Sequence, residues 1–194
     1  MLKNKLFQFA AYSHLVLLIM FLIFSVFLGF ITLETSKINL FNFIYLTLGL
    51  ILGIVVYYAF ILLGSTFKNK FLIRIALIEI IVLIIKVLYS LFGEFSIGFD
   101  IIDSITSGTL GILFGTALFS IRQKIKYAKT AGILNIISGV IMLIFITLGT
   151  LSIISGRDLF IFIDSVIIHT LTVISEMFIL FEASKRFEKQ KRTK

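Results

Sequence analysis

Six apolar stretches, each about the length of a helix that crosses a bilayer, divide this chain, and only short charged connections separate them. A helix needs ~20 apolar residues to cross a hydrocarbon core of ~30 Å. The qualifying stretches run over roughly 15–33, 41–64, 71–92, 101–121, 130–153 and 159–183. Helix is the conformation open to them, because an open strand in lipid leaves its backbone groups unpaired and barrel strands alternate in polarity. The expected fold is all-α: a polytopic membrane protein whose single domain, over 1–194, is a compact bundle of six transmembrane helices. A basic tail follows at 185–194.

Composition excludes the main rival. The 194 residues are 59% hydrophobic and 14% charged, and a soluble domain of this size cannot hide that much apolar surface from water. Cysteine is absent, which removes disulfides and thiolate metal sites, and proline is absent, which removes the usual cause of sharp kinks.

The net charge of +8 would suggest nucleic acid in a soluble protein, but its distribution follows membrane topology instead. Lys3 and Lys5 precede the first stretch; Lys68, Lys70 and Arg74 surround the second connection. Arg122, Lys124, Lys126 and Lys129 occupy the fourth, and Lys185, Arg186, Lys189, Lys191, Arg192 and Lys194 fill the tail. The first, third and fifth connections hold only Lys37 and Arg157 among acidic residues. Every second connection is basic, so both termini are expected in the cytoplasm of a cell-membrane protein. Residues 29–36 lack a small-residue cleavage pattern, so the first stretch reads as a retained anchor. The partners expected are the bilayer, anionic headgroups at the basic tail, and a membrane protein partner or a second copy; nucleic acid is not expected.

No H-E-x-x-H, G-x-S-x-G or phosphate-cradling loop occurs, and no connection is long enough to form a soluble domain. The chain is therefore expected to be non-enzymatic, without metal or cofactor: an accessory, assembly or structural membrane component. The alternative is a small transporter, channel or substrate-binding membrane subunit.

Two groups of residues carry the finer expectations. Ser104, Gly108, Gly111 and Gly115 recur at four, three and four residues along the fourth stretch, and Gly132, Asn135 and Gly139 form a matching strip on the fifth. Counting outward from the turn between them sets Gly111 near Gly139 and Gly115 near Asn135. Gly49 and Gly53 add a G-x-x-x-G pair on the second stretch. Small residues let backbones approach, which favours association where lipid removes the hydrophobic drive.

The second group is ionisable: Arg74, Glu79 and Lys86 on the third stretch, with Asp164, Ser165, His169, Thr172 and Glu176 on the sixth. Charged groups at mid-bilayer cost at least ~2.5–3.5 kcal/mol, so they seek partners or water. If the third and sixth helices are antiparallel neighbours, equal depth pairs Lys86 with Asp164, Glu79 with His169 and Arg74 with Glu176. Arg74 lies about 140° round the helix from Glu79, and Asp164 is similarly displaced from His169, which weakens the ends of this ladder. His14 is expected at the cytoplasmic edge, remote from His169.

Overall fold

The structure, a computed structural model, describes residues 2–28, 35–92, 97–150 and 167–192, with side chains over 4–23, 43–92, 101–144 and 167–188. Asp164 and Ser165 lie outside the described residues, as do the first, third and fifth connections. Those described are all-α, in six helices: α1 Leu2–Leu28, α2 Thr35–Thr66, α3 Lys70–Phe92, α4 Ile97–Ser120, α5 Ala128–Thr150 and α6 His169–Arg192. Three of them contain stretches long and apolar enough to cross a membrane, at Asn4–Ile23, Phe43–Thr66 and Ile101–Ser120, and α5 holds a shorter apolar stretch at Ala128–Ile144.

Each helix packs on its two neighbours in chain order, and α6 closes back on α1, so the six form a ring. Closure is antiparallel: Asn4 takes a hydrogen bond from the Ser184 hydroxyl, Phe7 stacks on Phe187, and further along Phe21 meets His169. Both ends of the described chain and both described turns therefore gather at one end, which is also the basic end.

That end is stitched together by polar contacts. The α2–α3 turn is tight enough that a Cβ on Gly64 would lie 2.8 Å from Ile73 and 3.1 Å from the Asn69 carbonyl oxygen. Lys68 takes a left-handed φ of 55° there. Asn69 caps α3 by accepting from the Leu72 amide at 3.1 Å, and its own amide donates to Ser120 at 2.6 Å. Lys124 donates to the Phe67 carbonyl at 3.0 Å, and the Lys126 amide donates to Glu182 at 2.8 Å. One apolar core fills the space behind these turns, built by Phe7, Phe60, Leu63, Leu72, Leu118, Ile125, Ile179 and Leu180 with their smaller neighbours. Phe114 crosses the ring to meet Tyr57 and Phe60 edge-on.

The closest helix pair is α4–α5, where backbone meets backbone. A Cβ on Gly115 would stand 2.5 Å from the Gly132 carbonyl oxygen, and one on Gly132 would stand 2.7 Å from that of Gly115. Gly111 lies against Gly139 and Asn135, and Gly108 against Gly139 and Leu143. Ser104 is half-buried on the same helix. Gly53 accommodates Leu83 of α3, whereas Gly49 faces open space, so a packing role for Gly49 is corrected.

Candidate functional site

Behind the apolar core, about 10–15 Å from the basic turns at a helical rise of about 1.5 Å per residue, side chains from five helices form a polar layer. Its centre is Glu176 on α6. One carboxylate oxygen sits 2.7 Å from His14 Nε2 on α1, and the other accepts from Asn135 Nδ2 on α5 at 2.6 Å. Asn135 also donates to the Ala131 carbonyl at 3.0 Å. Glu176 and His14 are 6% and 8% exposed, so this three-helix junction is shut away from its surroundings. His14 Nδ1 has no hydrogen-bond partner among the described residues.

Across the ring, Tyr57 of α2 and Glu79 of α3 lie within electrostatic reach of each other and of Glu176. His169, two turns along α6 from Glu176, feels both Glu176 and His14. Tyr57 and Glu79 are half-buried, and His169 is exposed. Thr172 is buried and donates to the Ile168 carbonyl at 2.8 Å.

A second polar group lies about 25 Å from the basic turns by the same rise. Lys86 on α3 pairs with Asp103 on α4 at 2.7 Å and donates to Ser107 at 2.5 Å, while Ser107 donates back to the Asp103 carbonyl.

These contacts correct the expected ladder. Its premise fails, because α3 packs on α2 and α4 whereas α6 packs on α1 and α5. Glu176 is engaged by His14 and Asn135, not Arg74, which is exposed. Lys86 is engaged by Asp103. His14 is likewise not at an edge. The first helix starts at Leu2, ahead of the expected 15, which carries His14 to the depth of Glu176.

His14, Tyr57, Asp103 and Ser107 are the site residues that sequence reasoning missed. For His14 a signal existed: Phe7, Ala10, Ala11, His14 and Leu18 recur at helical spacing, and all are buried. For Asp103 it was the same outward counting from a connection that sets Gly111 beside Gly139. Among the described residues no three His, Asp or Glu side chains converge as a metal-ligand set.

Compared with protein-family models, with curated proteins and with solved structures, the chain matches none.

Proposed function

We propose that the chain is a multi-pass integral protein of the cell membrane, crossing it six times with both termini in the cytoplasm. In this reading the polar layer forms a recess between the helices that receives a small polar or ionisable solute for capture or transport, and the chain performs no covalent chemistry. The topology is supported by the gathering of the basic turns at one end, since basic connections stay cytoplasmic. The solute reading rests on one observation: the titratable Tyr57, Glu79 and His169 stand within apolar helices, well away from the basic turns, and keep accessible surface. Intramembrane ionisable groups kept beside accessible space mark solute and ion routes.

A second reading is favoured by a different observation. Both oxygens of Glu176 are already engaged within a buried three-helix junction, which is the behaviour of polar glue in an accessory or assembly component.

Because the chain contains no cysteine, single-cysteine variants need no engineered background. In intact cells, Glu79→Cys and His169→Cys should react with a membrane-impermeant thiol reagent applied from the exterior, while Phe60→Cys should not. Failure of both to react before denaturation would leave the structural reading standing. Cysteines placed at Lys126 and Lys185 should react only from the cytoplasmic side, and exterior labelling of either would overturn the topology.

A further inference from the structure

We propose that Lys70 and Arg74 hold the phosphate of an anionic phospholipid on the outer face of α3. The inference rests on the membrane topology above and is independent of the recess. Both side chains are exposed and stand four residues apart, so they project from one face one turn apart. The same side of α3 continues with exposed Leu77, Ile78, Ile81, Ile85 and Leu88. In a bilayer that stripe is the acyl-chain surface, and Lys70 and Arg74 lie at its cytoplasmic margin, where headgroups sit.

Arg74 has no carboxylate to answer it among the described residues. Glu79 is half-buried within reach of Lys86 and Tyr57 and forms no ion pair with Arg74, Asp103 is held by Lys86, Glu176 by His14 and Asn135, and Glu182 by Arg186 and the Lys126 amide; Glu188 is also engaged. Two like charges four residues apart repel each other unless an anion sits between them. The N-terminal turn of α3 adds partial positive charge to the same spot. A guanidinium offers a phosphate two parallel donors, and the Lys70 ammonium a third point of charge.

The test is native mass spectrometry of the detergent-solubilised chain with phosphatidylglycerol or phosphatidylcholine added. The wild type should retain phosphatidylglycerol preferentially. Removing one charge should lower that retention about fivefold, and Lys70→Gln with Arg74→Gln together about 25-fold. The charge-matched control, Lys129→Gln with Lys185→Gln, should change it far less, and Arg74→Lys should restore part of it. Equal losses in the double variant and the control would overturn the site, because net charge alone would then explain binding. Equal retention of the two lipids by the wild type would overturn it as well. A chain that stays soluble without detergent would instead sink the membrane topology itself.

Discussion

Toward the basic turns the six helices meet through Phe7, Phe60, Leu72, Leu118, Ala131 and Ile179, all with almost no accessible surface. Farther along, the same ring is lined by Tyr57, Glu79, Lys86, Asp103 and His169, which keep some. Lipid offers helices no hydrophobic reason to associate, so a ring must be held by dense packing, close backbones and polar contacts. Among the described residues the dense packing is concentrated in one half. The other half is thereby free to carry charged groups that would not by themselves hold six helices together.

Four substitutions would break or sharpen that contrast, each read as the thermal unfolding midpoint of the purified chain in detergent. Gly115→Leu should have the largest effect, because its Cβ would press on the Gly132 carbonyl and on Asn135 and Ile136. Backbone cannot yield as a side-chain tip can, so a loss of about 3 kcal/mol, at the top of the overpacking range, or outright failure to assemble is expected. Phe60→Ala empties the centre of the apolar core; the loss should approach but not reach the ~3–5 kcal/mol seen in water-soluble cores, since lipid removes the transfer contribution.

Glu176→Leu removes the shared partner of His14 and Asn135 and should cost about 1–2 kcal/mol, with Glu176→Gln recovering part of it. The smallest effect belongs to the outer pair. Lys86 and Asp103 side chains are 30% and 33% exposed, so either single neutralisation should cost less than about 1 kcal/mol, and exchanging the two residues should restore the wild-type midpoint. If Lys86→Gln proved as damaging as Phe60→Ala, the division into a holding half and a lined half would be wrong.

The amino-acid order carried much of this arrangement, and where it misled the reason is physical. Helices joined by a short connection are forced to be neighbours, and the connection also fixes their register. Counting outward from it therefore sets Gly111 by Gly139 in α4–α5, and it would have set Lys86 by Asp103 in α3–α4. The expected pairing of the third and sixth helices had no such constraint. Depth matching alone fits any antiparallel pair, so Arg74 was assigned a partner that belongs to His14. The position of His14 was obscured differently: Lys3, Asn4, Lys5 and Gln8 disguise the start of an apolar face that begins at Phe7. Gly49 shows the limit of motif reading, since a G-x-x-x-G pair names two positions but only Gly53 meets a neighbour.

Because α1 finds its second neighbour in the last helix, the bundle stays an unfinished arc until α6 has been synthesised. During translation the face of α1 bearing His14 must wait for the Glu176 carboxylate that α6 supplies. Every chain interrupted before α6 therefore displays the same unsatisfied edge.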